Sequence, residues 1–125
     1  MTKKKVSAQL KKARKLIEKG WARGTFFTVN YLSGVECYCS IGAINKVVID
    51  NAYGNNMSVV SVEDKQLLYK CIAYLGNQAE VKSIPRNDPY SRVIAYNDRP
   101  RSTKNKVLEM YDKAIAKAIE DETSS

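Results

Sequence analysis

The chain has 125 residues, 21 Lys and Arg against 13 Asp and Glu, a formal net charge of +8 and a hydrophobic fraction of 44%, which fits one small globular domain rather than a disordered chain. It contains no histidine, and this excludes histidine general bases, Ser-His-Asp and Cys-His nucleophilic centres and histidine-ligated metals. Its cysteines, Cys37, Cys39 and Cys71, form an odd set without a framework spacing, so reduced thiols in a core are expected and neither a metal nor an organic cofactor is implied.

The charge is concentrated. Residues 1–23 carry Lys3, Lys4, Lys5, Lys11, Lys12, Arg14, Lys15, Lys19 and Arg23 against Glu18 alone, so this segment holds the whole +8, and the other 102 residues carry twelve charges of each sign. A focused patch attracts polyanions at range where dispersed charge does not. Lys3-Lys4-Lys5 is followed by Val6-Ser7-Ala8-Gln9-Leu10-Lys11, too short an apolar run for a secretory signal. The longest aliphatic runs are of the type Val47-Val48-Ile49, far below the ~20 residues that span a bilayer. A soluble, cytoplasmic protein with no membrane partner is expected.

Along the chain, Val6, Leu10, Ala13, Ile17 and Trp21 recur with helical period, which predicts an amphipathic helix ending near Gly20 and handing Trp21 to the core. Residues 25–34 are β-branched and aromatic up to Ser33-Gly34 and read as a short extended segment or a structured loop. Cys37, Ile41, Ile44, Val48 and Ala52 predict a second helix over 36–52, stopped by Tyr53-Gly54-Asn55-Asn56. Ser61-Val62-Glu63-Asp64 reads as a cap opening a third helix over 62–75, with Leu68, Cys71, Ile72 and Leu75 buried and Gly76-Asn77 as its stop. Pro85 and Pro89 among Asn, Asp and Ser make 77–91 a loop, and Arg92 to Tyr96 reads as a short strand or the start of a turn running through Asn97 to Thr103. Val107, Leu108, Tyr111, Ile115, Ala118 and Ile119 predict a last helix to about Glu120. The expected fold is mainly α, a single small domain over 1–125 of about four helices with a short extended or β segment. Residues 1–5 and 121–125 are expected to be flexible, with the first and last helices clamping a buried Cys39/Gly42/Ala43 helix.

The order of motifs resembles that of an uncharacterised family of small helical proteins from phages and actinobacteria. The resemblance rests on Gly20-Trp21-Ala22-Arg23-Gly24, Cys39-Ser40-Ile41-Gly42-Ala43, Tyr96-Asn97-Asp98 and a Thr103-led helix with Val107-Leu108 and Lys113-Ala114-Ile115, and it spans roughly residues 10 to 119. The family pattern carries Trp where this chain has Tyr96. The resemblance implies a helical fold and a phage or bacterial origin, and no activity.

Each motif also has a structural reading. Gly42 predicts a helix crossing, Trp21 and Tyr96 read as core anchors, and Asn97 and Asp98 read as an Asx turn or a cap for the last helix. Catalysis by Asp98 would need a second group, for which Asp88 is the nearest candidate. The leading functional expectation is a non-enzymatic binding protein whose Lys4, Lys5, Lys11, Lys12, Arg14, Lys15, Lys19 and Arg23 contact nucleic acid or an acidic host protein. The competing bland reading is a solvated face. A second expectation is a phage counter-defence sponge or inhibitor taking an anionic, nucleotide-like ligand at Arg92, Asn97, Asp98, Arg99, Arg101 and Lys104, beside the start of the last helix. An enzyme with Cys37 or Cys39 as nucleophile is the weakest reading, because no histidine is present to activate a thiol.

Overall fold

The apolar stripe of the first segment forms helix α1 (Val6–Lys19), whose Leu10, Ala13 and Ile17 are fully buried. Gly20 closes it, donating its N–H to the Leu16 carbonyl at 3.1 Å. The computed structural model describes residues 4–50, 53–54, 59–81 and 86–124.

The extended segment is strand β1 (Phe27–Val29), and it has a partner that periodicity concealed. Strand β2 (Glu36–Tyr38) runs antiparallel to it, with Phe27 opposite Tyr38, Thr28 opposite Cys37 and Val29 opposite Glu36. The second helix therefore does not begin at Glu36. Helix α2 (Ser40–Asn45) starts after Cys39, whose sulfur accepts from the Gly42 N–H at 3.3 Å, and it runs on as a π-helical turn over Lys46–Asp50. Gly54, at φ +61°, turns the chain back with its N–H on the Asp50 carbonyl at 2.9 Å; Ala52, Asn55 and Asn56 lie outside the described residues.

Helix α3 (Val62–Gln78) opens as expected, Ser61 Oγ accepting from the Asp64 N–H at 3.1 Å. It buries Cys71, Ile72 and Leu75, with Leu68 half-buried, but it does not stop at Gly76. Gly76 lies inside the helix where Pro89 approaches, and a Cβ there would stand 2.7 Å from the Cα and Cβ of Pro89. The residue is glycine for packing, not termination.

Pro89 opens a helix where the sequence predicts a loop followed by a short strand or the start of a turn. Helix α4 (Pro89–Asp98) is capped by Asp88, which accepts from the Ser91 N–H at 2.9 Å and the Ser91 hydroxyl at 3.0 Å. These two bonds, first the backbone one, hold the Asp88 carboxyl below its usual range, since they favour the charged acceptor. Asn97 and Asp98 thus end a helix instead of starting a turn. The turn is confined to residues 99–103, and Thr103 caps helix α5 (Lys104–Thr123) with its hydroxyl on the Lys106 N–H.

The last helix runs beyond its expected end at Glu120. Residues 121–123 are helical, Asp121 accepts from the Tyr74 hydroxyl at 2.6 Å, and Glu122 accepts from the Ser7 N–H at 3.1 Å and the Ser7 hydroxyl at 2.6 Å. At the other end, Lys4 pairs with Asp64 at 3.7 Å. Ser125 and residues 1–3 lie outside the described residues.

The fold is mainly α, with five helices and the two-stranded sheet among the described residues. Helix α1 packs chiefly on α5 and α2, while α3 packs on α4 and α5. Helix α2 is buried from Ser40 to Ile44, and the fully buried Tyr111 of α5 donates its hydroxyl to the Ser40 carbonyl at 2.6 Å. The expected clamp around Cys39, Gly42 and Ala43 is present on one side only: α1 packs on α2, whereas α5 reaches it chiefly through Tyr111, and α3 and α4 supply the other helical contacts. What touches Gly42, however, is not a helix. A Cβ there would stand 2.0 Å from the Phe26 carbonyl oxygen, so the close approach is by the backbone leading into β1. Among the described residues no helix is long and apolar enough to cross a membrane.

Candidate functional site

Helix α1 turns by about 100° per residue, so with Leu10, Ala13 and Ile17 facing inward, Lys11, Lys12, Lys15 and Lys19 fall within an arc of roughly 100° on the opposite side. All four are exposed. They form a row about 12 Å long at 1.5 Å of rise per residue. The other predicted contacts divide. Lys5, at the N-cap, is exposed; Lys4 pairs with Asp64. Arg14 forms ion pairs with Asp112, at 2.6 Å, and with Glu18. Arg23 donates to the Ser102 carbonyl and lies over the Trp21 ring, 5.1 Å from its centroid. Lys5, Lys11, Lys12, Lys15 and Lys19 form no ion pair among the described residues.

Lys104, expected beside Asn97, reaches the row's own end instead. Its ammonium donates to the Glu18 carbonyl at 2.8 Å, where Lys19 also stands at the negative end of the α1 dipole. No local sequence signal pairs residues 18 and 104 or 14 and 112, because both contacts follow from how α1 and α5 cross.

The second predicted cluster does not form one site. Asn97 is buried and acts as a hub: its Oδ1 accepts from Trp21 Nε1 at 2.9 Å, the Ser40 N–H at 2.9 Å and the Ser40 hydroxyl at 2.7 Å. Its Nδ2 donates to the Ala22 carbonyl at 3.0 Å and to Asp98 Oδ1 at 2.9 Å, and the same Asp98 oxygen accepts from the Gly24 N–H at 2.9 Å. One amide thus joins the turn after α1, the start of α2 and the end of α4. Asn97 neither makes an Asx turn nor caps the last helix, and Asp88 sits at the opposite end of α4 from Asp98.

Arg92 and Arg99 do come together, along a cleft of about 720 Å³ that Glu80 and Ala95 also line. Arg92 donates to the Gly76 carbonyl at 3.0 Å, the Ala79 carbonyl at 2.6 Å and Asn87 at 2.8 Å, which closes the C-terminus of α3. Arg99 donates to Ser102 Oγ and to the Glu80 carbonyl, each at 3.0 Å, and lies 4.2 Å from the Tyr96 ring centroid. Arg101 is exposed and lines no part of the cleft.

A family model matches residues 1–117. The chain belongs to DUF6197, a family of unknown function. No curated protein and no solved structure matches it. In this DUF6197 member, the motif of Gly20 to Gly24, Ser40 at the start of α2 and the Asn97-Asp98 pair are parts of one hydrogen-bonded junction. Tyr96 is buried with its hydroxyl on the Lys106 carbonyl at 3.4 Å.

Two of the three thiols, Cys39 and Cys71, are buried. Burial raises the Cys39 thiol above its ordinary value, and burial pushes Cys71 up to about 12, so both are protonated at neutral pH and lack the thiolate that reacts. Cys37 is half-buried. Native protein treated with an aromatic disulfide reagent is expected to label fast at Cys37 alone, with Cys39 and Cys71 reacting only on denaturation; fast labelling of Cys39, located by peptide mass spectrometry, would contradict this. Among the described residues no group of three or more Cys, Asp or Glu side chains is placed to hold a metal.

Proposed function

We propose that the protein is a non-enzymatic binding protein of a phage or bacterial cytoplasm, and that α1 contacts the phosphate backbone of nucleic acid. The observation that carries this reading is the row of Lys11, Lys12, Lys15 and Lys19, exposed, on one side of one helix and without ion-pair partners among the described residues. A row that only kept the protein soluble would serve as well with charges of both signs. Arg14 and Arg23, the side chains able to form bidentate bonds with bases, are engaged elsewhere. Lysines contact phosphates as point charges, so binding is expected to be weakly sequence-selective.

The test is a fluorescence-anisotropy salt series on a labelled duplex. Neutralising about five phosphates gives a slope of log affinity against log salt of roughly −4 to −5. The combined change Lys11→Glu, Lys12→Glu, Lys15→Glu and Lys19→Glu is expected to abolish the binding with the helical circular dichroism unchanged, because all four side chains are in solvent. No salt-sensitive binding by the unmodified protein near about 0.15 M ionic strength would sink the nucleic-acid reading. Capture of a nuclease-resistant acidic protein through the same lysines would transfer the role to a host-protein surface.

A second reading, a counter-defence sponge for an anionic nucleotide-like ligand, is supported by the cleft that holds Arg92 and Arg99. It weighs less because backbone carbonyls already occupy both guanidinium groups. A nucleotide or cyclic nucleotide bound there is expected to raise the melting temperature, by an increment that grows with the logarithm of ligand concentration. A flat response across such a panel would remove this reading.

A further inference from the structure

Among the described residues the hairpin carries a run of exposed apolar side chains. Phe26 and Phe27 are about half exposed, Val29 is 43% exposed, and Tyr31 and Leu32 project wholly into solvent. From Gly24 to Val35 the sequence carries no charge, in a chain of net charge +8. The bonds from the Asn30 N–H to the Val35 carbonyl, 2.9 Å, and from the Cys39 N–H to the Phe26 carbonyl, 3.2 Å, fix the phase of the ladder. In antiparallel pairing alternate residues bond to the partner strand, so the backbone groups of Thr28 face β2 while those of Phe27 and Val29 face away. Among the described residues the N–H groups of Phe27 and Val29 and the Val29 carbonyl have no backbone partner outside the hairpin. The Phe27 carbonyl accepts only from Thr25 Oγ1, at 3.3 Å.

We propose that this outer edge is a homodimer interface, with β1 pairing antiparallel to β1 of a second copy about a two-fold axis at Thr28. A two-fold there sets Phe27 of each copy opposite Val29 of the other, and each outward N–H then meets an outward carbonyl. The edge is its own complement. It also carries no Lys, Pro or bulge of the kind that keeps an exposed strand from pairing. Because the hairpin is uncharged from Gly24 to Val35, two chains of net +8 meet there without setting like charges against each other. Three residues make few ladder bonds, so most of the association comes from covering Phe26, Phe27, Val29 and Tyr31. The proposal does not depend on nucleic-acid binding.

The experiment is sedimentation equilibrium over about a hundredfold range of concentration, on the unmodified protein and on Val29→Pro. The Val29 N–H faces away from β2, so the hairpin tolerates proline there while the dimer loses a donor. The register is read separately with Thr28→Cys in a Cys37→Ser background, since residues facing each other at a non-hydrogen-bonded position lie within disulfide reach. Reversible dimerisation that Val29→Pro abolishes with the circular dichroism retained, together with a disulfide-linked dimer through position 28, is the expected result. A monomer throughout the range, association that survives Val29→Pro, or no cross-link at position 28 would each overturn it. If Val29→Pro disturbs the fold, Val29→Lys replaces it, placing charge in the proposed contact and leaving the backbone unaltered.

Discussion

Replacing Asn97 with Ala is expected to destabilise the protein by about 3–5 kcal/mol, the range of severe single substitutions. The side chain is buried, and its amide makes bonds to Trp21, Ser40, Ala22 and Asp98. A normal hydrogen bond contributes only about 1 kcal/mol net, but a buried donor or acceptor left without a partner costs roughly 1–3 kcal/mol. Asn97→Ala strands the Trp21 indole N–H and the Ser40 N–H at one stroke. A water entering the vacated space could restore some of these bonds, which keeps the total below the sum of the separate penalties. Urea denaturation measures the effect. A loss under about 1 kcal/mol would show that the junction does not hold the three segments together.

Gly42→Ala is expected to cost about 2–4 kcal/mol, although Ala is favoured over Gly inside a helix by about 1 kcal/mol. The new Cβ would stand 2.0 Å from the Phe26 carbonyl oxygen and 2.8 Å from its carbon, and both atoms are backbone, so no rotamer change relieves the clash. The Phe26 carbonyl must retreat. It then gives up the N–H of Cys39, the residue that caps α2, so the hairpin and the helix loosen together. Gly24→Ala is the control: Gly24 has φ +78° with nothing within 4 Å of the added Cβ, and only the left-handed backbone penalty of about 1 kcal/mol applies. Equal losses for the two substitutions would show that close approach is not what Gly42 provides.

The sequence made the two long-stripe helices plain, because Leu10, Ala13 and Ile17 in α1 and Val107, Tyr111, Ile115 and Ala118 in α5 repeat at helical spacing and are buried, although Leu108 is only half-buried and Ile119 is exposed at the edge of the same stripe. Helix α4 escaped because its inward side is Val93, Tyr96 and Asn97, so the stripe ends on a polar residue and looks broken. The signal that could have found it was Asp88-Pro89, a capping residue followed by the residue suited to a first helical position. Strand β2 was lost for the converse reason: Cys37 stands four residues before Ile41 and completes a helical spacing by coincidence. The basic row was legible because it lies within one helix. The neutralisation of Arg14 by Asp112 and the arrival of Lys104 at Glu18 were not, since they depend on the crossing of two helices far apart in sequence.

That separation also orders the events of folding. Arg14 meets Asp112 across 98 residues, and Ser7 meets Glu122 across 115, so contacts at the two ends of the chain close the largest loops in the molecule, and entropy delays such closures. On a ribosome, α1 emerges before α5. The lysine helix therefore meets α2 and the hairpin early in synthesis, but the largest share of its packing, on α5, waits until about eighty further residues have been made.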